Sequence, residues 1–128
     1  MKTAYLCGPI NGCTDEECKD WRARFKQLWP HDTLDPMRRD YRGKEDECWR
    51  EIVELDKIDV SNSDVLIVSY PRPSTGTDME IYYAWERGKP VVSVVPKDAR
   101  ISPWLRYHSH KIVHSYEAAV FAADDMLR

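Results

Sequence analysis

The stretch "DVLIVSY", residues 64–70, carries apolar side chains on consecutive positions rather than alternate ones. A strand with one wet face alternates. One that is apolar on both faces must be covered on both, as parallel strands inside an α/β sheet are. "PVVSVV", residues 90–95, reads the same way. Between them, "PSTGTDMEIYYAWERGKP" supplies a small-residue turn and a helix, expected after Thr77 and running to Arg87, with Gly88 closing it. Two-sided strands alternating with helices imply a parallel sheet sandwiched between helical layers.

The rest of the chain extends that pattern. "TAYLC" is a strand and "GPINGC" a loop. Thr14 makes a good N-cap with Glu17 three residues later, the capping-box spacing. Trp21, Phe25 and Leu28 recur at helical spacing until Pro30 stops the run. "DTLDP" reads as a short strand and "MRRDYRGK" as a charged loop. Residues 45–60 read as a long helix carrying Trp49, Ile52, Val53, Leu55 and Asp56, ended by "SNS". "PKDARISPWLRYHS" is a proline-bearing loop, "KIVH" a final strand, and "SYEAAVFAADDMLR" a closing helix capped by Ser115.

Five strands alternating with four helices predict a single α/β domain over residues 1–128. The expected form is a three-layer, doubly wound sheet of the Rossmann or flavodoxin kind. In such sheets ligands bind beyond the carboxyl ends of the strands, near the point where strand order reverses. The loops at 8–13, 35–44, 71–78 and 96–110 are therefore where a site is expected.

Charge and composition narrow the function classes. A net charge of −3 and a pI near 5.8 argue against a surface that neutralises a nucleic-acid backbone. The longest apolar runs are strand-sized, so no membrane span is expected. "MKTAYLCGPI" lacks the long apolar core and small-residue cleavage site of a signal peptide and works better as a first strand. Cys7, Cys13, Cys18 and Cys48 form no CxxC pair and have no histidine at zinc spacing. They are expected to be free thiols in a reducing cytoplasm, and neither a metal nor a cofactor is expected.

Several residues could carry chemistry. Glu80 sits near the start of its helix, between a turn suited to an anion and the aromatic run "IYYAW". As a first-turn acid it could simply favour the helix dipole, or it could be a nucleophile or base where water is scarce. Asp56 falls near the end of the long helix, where a negative charge opposes the dipole, and Asp59 competes for the same role. Asp64 reads as a cap where the chain enters the sheet. The turn "PSTGTD" offers backbone N–H groups, side-chain hydroxyls and a helix N-terminus, all suited to an anion. Arg38, Arg39 and Arg42 could reach a phosphate, although a run of charge is commonly a solvated loop. The two glycines of "GPINGC" mean either a turn or a close approach to a ligand.

Together, "AYLCGPINGC", "PSTGTDMEIYYA" and "HSYEAAV" resemble the nucleoside 2-deoxyribosyltransferase family, in particular its nucleotide N-hydrolase branch. The resemblance implies that Glu80 is the catalytic nucleophile. It places the family's second acid on Asp56, eight residues before Asp64, and its positioning tyrosine on Tyr5. Six residues before the glutamate, the transferases carry an aspartate for the sugar's 5′-hydroxyl, whereas the nucleotide hydrolases carry a serine. This chain has Ser74, which implies a 5′-monophosphate substrate bound with help from Gly8, Pro9, Asn11, Arg39 and Gly76. Pro9 and Asn11 depart from the serine and arginine expected in the first loop, so part of the phosphate grip is expected from Arg38, Arg39 or a neighbouring subunit. The implied activity is hydrolysis of a nucleotide's N-glycosidic bond. Base exchange by a transferase is the nearest alternative, and a non-catalytic nucleotide-binding module the more distant one. Trp29, Trp85, Trp104, Tyr82 and Tyr83 exceed what one small core needs and are expected to flank the site, which suggests a homo-oligomer.

Overall fold

The computed structural model describes residues 2–128. Five strands, β1 (Thr3–Cys7), β2 (Asp32–Leu34), β3 (Val65–Ser69), β4 (Val91–Val94) and β5 (Lys111–Val113), form one sheet in the order β2-β1-β3-β4-β5. Every pairing is parallel. The helices are α1 (Trp21–Leu28), α2 (Glu45–Asn62), α3 (Thr75–Glu86), α4 (Pro103–Tyr107) and α5 (Tyr116–Met126). Strand order reverses between β1 and β3, which makes the crevice above those two strands the switch point. The expected doubly wound fold is present.

The two-sided strands are buried on both faces, as their composition requires. Along β1, Ala4 and Leu6 join Phe25, Trp29 and the α5 alanines, whereas Tyr5 and Cys7 point to the opposite core with Val60, Ile81 and Ala84. All five residues of β3 are buried. Asp64 clamps the start of that strand: its carboxylate accepts from the Thr3 N–H at 2.8 Å and its own N–H donates to the Thr3 carbonyl at 2.7 Å.

Local signals place most boundaries. The Thr14 hydroxyl accepts from the Glu17 N–H at 3.2 Å and Glu17 accepts in return from the Thr14 N–H at 3.0 Å. This capping box opens a π-helical turn, Glu16–Asp20, that leads into α1. Ser115 caps α5 by accepting from Ala118 at 3.1 Å, and Gly88 closes α3 at a φ of 75°.

Other expectations need correction. Among the described residues there are five α-helices rather than four, because Ser102 caps a short helix within 96–110 by accepting from the Trp104 N–H at 3.1 Å. A 3-10 turn, Pro36–Arg38, forms in the charged loop, with Asp35 accepting from the Met37 N–H. α2 runs to Asn62, absorbing residues read as its terminator. α3 begins at Thr75 rather than after Thr77, so Glu80 lies in its second turn and Asp78 is the first-turn acid. The dipole explanation of Glu80 therefore loses its ground. Trp29, expected beside the site, is a core residue with 4% exposure, stacked on Phe25.

Arg22 escaped sequence reasoning altogether. It is 1% exposed and donates to the carbonyls of Leu6, Gly8 and Cys18, with Asp35 3.5 Å away. A buried guanidinium is tolerable only when so fully satisfied. It ties the end of β1 and the following loop to α1, and so holds one wall of the switch-point crevice.

Candidate active site

Three of the four watched loops converge at that crevice. The cavity above β1 and β3 has a volume of about 150 Å3 and is lined by Gly8, Ile10, Asn11, Arg39, Asp56, Ser74, Gly76, Thr77 and Glu80, among others. The loop at 96–110 does not reach it. That loop walls a separate recess on the far side of α3, with Trp104 and His108.

Glu80 is held from below by the sheet. Tyr5, fully buried, donates its hydroxyl to Glu80 Oε2 at 2.7 Å. The Cys7 thiol lies 3.2 Å from Oε1. Both come from β1, two residues apart and therefore on one face. Burial drives the Glu80 carboxyl well above the ordinary carboxylate range, and the nearby Asp56 charge adds to it. Burial likewise raises the Tyr5 hydroxyl, with Glu80 next in effect, so Tyr5 stays protonated and remains a donor.

Asp56 faces Glu80 from α2. Its carboxyl is also raised by burial, although Arg39, 3.6 Å away, pulls in the other direction. The two carboxyls line one cavity, and each affects the ionisation of the other. Two like charges in one partly buried cavity repel, so the pair retains a proton to higher pH than separate acids would. Asp59 does a different job. Its side chain is 8% exposed and accepts from Arg38 at 2.9 Å and Arg39 at 2.7 Å. Burial works against ionisation there, yet the two arginine bonds hold Asp59 below the ordinary carboxylate range. It thereby fixes Arg39 beside Asp56.

The other wall is the N-terminus of α3. Ser74 occupies the N-cap with extended backbone, but its hydroxyl makes no capping bond. A Cβ on Gly76 would meet nothing within 4 Å, so the first turn faces open space. Thr77 is 2% exposed and its hydroxyl has no partner among the described residues. Uncommitted donors at the positive end of a helix are suited to an anion.

Several placements differ from expectation. Pro9 does not line the cavity; it lines a neighbouring recess with Trp21 and Arg72. The Gly8 carbonyl accepts from Arg22 at 3.3 Å, and Pro9 faces the same side of the loop as Trp21. Gly8 is required by packing, since a Cβ there would lie 2.9 Å from the Trp21 ring. Arg42 is engaged by Asp15, Asp40 and the Cys13 carbonyl, away from the cavity. Ile10, Pro36, Tyr41, Glu45, Ile52 and Thr77 line the site without having been singled out. For Thr77, the small-residue turn "PSTGT" was an available signal; for the rest there was none. All four cysteines are free thiols. No helix among the described residues is long and apolar enough to cross a membrane.

The fold and crevice define an α/β domain with a cavity at its switch point, beside a partly buried carboxyl pair. The chain belongs to the nucleoside 2-deoxyribosyltransferase family, whose model matches residues 4–122. The family's members are enzymes that act on nucleosides or nucleotides, by glycosyl transfer or hydrolysis. Among solved structures, a 2-deoxyribosyltransferase from Bacillus psychrosaccharolyticus is similar, with a TM-score of 0.76 and 17% identity over 92% of this chain and 90% of that one. A conserved protein from Enterococcus faecalis matches with a TM-score of 0.74 and 16% identity, over 98% and 99% of the two chains. A CMP N-glycosidase from Clostridium botulinum matches with a TM-score of 0.57 and 17% identity, over 96% and 99%. At these identities the likeness is one of fold. No curated protein matches the sequence significantly.

Proposed function

We propose that this protein is a nucleotide N-glycosidase that hydrolyses the N-glycosidic bond of a nucleoside or deoxynucleoside 5′-monophosphate. The observation that carries the reading is one cavity holding two opposite chemistries. At its floor lie Glu80 and Asp56, and at its wall lies the uncommitted α3 N-terminus with Ser74 and Gly76. The first suits a glycosidic carbon and its leaving base; the second suits a phosphate.

In this mechanism Glu80 attacks the anomeric carbon from the face opposite the base. A C–O bond to the carboxylate forms as the C–N bond breaks, through a transition state of oxocarbenium character. Tyr5 holds the attacking carboxylate. The carboxyl pair retains a single proton; with that proton on Asp56, Glu80 is ionised for attack, and Asp56 positions the departing base and passes the proton to it. Water then attacks the glycosyl-Glu80 ester, releasing the sugar 5-phosphate and regenerating Glu80. Ser74, the α3 N–H groups and Arg39 hold the phosphate, with Gly8 and Asn11 shaping the sugar's side of the cavity. An aspartate at position 74 would repel a phosphate, whereas a serine hydroxyl can donate to it. The Clostridium relative's description as a CMP N-glycosidase is in keeping with a monophosphate.

The neighbouring groove of about 620 Å3 between α2 and α3 opens from the same carboxyls and is lined by Val53, Met79, Tyr82 and Tyr83. We place a second copy of the chain on it, in a homo-oligomer that closes the pocket. Free thiols throughout accord with a reducing cytoplasm.

Incubating the protein with a panel of nucleoside monophosphates, and assaying released base, tests the reading. Far faster release from a monophosphate than from its nucleoside is expected, and no release from any member would overturn it. A transferase shares the intermediate and differs only in its acceptor, so exchange of a labelled free base into the nucleotide would favour that reading instead.

A further inference from the structure

β1 delivers two side chains to Glu80. Tyr5 takes Oε2 at 2.7 Å, and Cys7 takes Oε1 at 3.2 Å. The other acceptor within reach of the Cys7 sulfur, the Thr77 carbonyl, is farther, at 3.8 Å. Cys7 is fully buried, and burial first, then the Glu80 charge, pushes its thiol well above the ordinary range. It is therefore inert as a nucleophile and stays a donor.

We propose that Cys7 is a positioning residue for the nucleophile, its S–H pinning one oxygen of Glu80 while the Tyr5 hydroxyl pins the other. The proposal rests on reading Glu80 as the nucleophile. The terminal torsion of a glutamate is broad and poorly defined when unrestrained. Donors on both oxygens fix the carboxylate plane and leave each oxygen a lone pair to present to the cavity. Both bonds also favour the ionised form against burial.

The charged and titratable groups around Glu80 come from three sides. β1 supplies Tyr5 and Cys7, α2 supplies Asp56, and Arg39 stands beside Asp56, braced by Asp59. Burial and Asp56 raise the Glu80 carboxyl, and the bonds from Tyr5 and Cys7 lower it. Removing either should therefore shift its ionisation upwards.

The test compares Cys7→Ala and Cys7→Ser with wild type. Titration of the Glu80 carboxyl is followed by 13C NMR, its signal assigned by loss in Glu80→Gln, and kcat and KM are measured on the cleaved nucleotide. Cys7→Ala is expected to raise the Glu80 midpoint and to lower kcat about three- to tenfold with little change in KM, as for one weak donor to a charged group. Cys7→Ser, which restores a donor, is expected to recover both. Cys7→Val, which keeps volume without a donor, replaces the alanine variant if that chain does not fold. An unmoved midpoint in the donorless variant, or a serine variant no better than it, overturns the proposal. The titration requires no turnover, so a wild type that cleaves no nucleotide would sink the proposed activity while the midpoint still decides the part played by Cys7.

Discussion

The two faces of the sheet are built from alternate residues of the same strands, yet they serve opposite ends. On the α1/α5 face, Ala4 and Leu6 of β1 meet Phe25, Trp29 and a row of alanines in a dry, aromatic core. On the α2/α3 face, Tyr5 and Cys7 of β1 rise towards Glu80, and two carboxyls share a cavity where neither is comfortable ionised. The first face buries apolar side chains against one another. The second holds two carboxyls whose ionisation burial opposes. A fold that separates these demands by the two-residue period of a strand can strain one face without loosening the other.

The largest expected effect comes from removing the poised group. Glu80→Gln should reduce cleavage of the best nucleotide by about a thousandfold or more, because an amide is not an anionic nucleophile. Turnover near the wild-type rate, with a correctly folded variant, would remove Glu80 from the chemistry.

The matching change on the other face is Phe25→Ala. Its ring is fully buried, so the variant should lose about 3–5 kcal/mol in denaturant unfolding. Activity per folded molecule should change little. If activity fell as far as stability at temperatures where the variant stays folded, the two faces would not be independent.

Ser74 gives a smaller and more selective effect. Ser74→Ala should lower nucleotide turnover about tenfold or more while leaving nucleoside turnover unchanged, as loss of a hydrogen bond to a charged group predicts. Equal losses on both substrates would mean that Ser74 only shapes the turn.

The smallest effect is thermodynamic, and it sharpens the contrast most directly. The folded carboxyl of Glu80 titrates above its unfolded value, so the folded chain holds that proton more tightly. The stability this provides is fully present below the unfolded pKa and drains away as pH rises through the folded one. Gln carries no such titration. Glu80→Gln should therefore gain on wild type as pH rises from acid to mildly alkaline, by on the order of 1 to a few kcal/mol. Parallel stability curves for the two proteins across that range would show that the acid is not strained.

Much of the fold was legible because it is local. Two-sided runs marked β3 and β4, the Thr14–Glu17 spacing marked the way into the first helix, and Ser115 and Gly88 marked others. The helix starts that failed did so for a local reason as well. Ser74, Thr75 and Thr77 all suit an N-cap, so the side-chain pattern alone did not single out Ser74 as the cap from which α3 begins. Of the proposed site, the glutamate, second acid, tyrosine and serine were identified by resemblance, and all four stand at one crevice. Pro9 faces a neighbouring recess rather than the cavity, and its loop is tied down by Arg22, which the motif does not contain.

By itself, then, the sequence determined the alternation of elements, the burial of both sheet faces and the small-residue turn at the switch point. Each is set by residues within a few positions of one another. Only the tertiary structure decided which acid faces the cavity and which braces an arginine, that Trp29 belongs to the core, and that a thiol on β1 meets a carboxylate 73 residues away. Those outcomes depend on how layers pack, and strand and helix periods specify which face a side chain takes but not what waits across it.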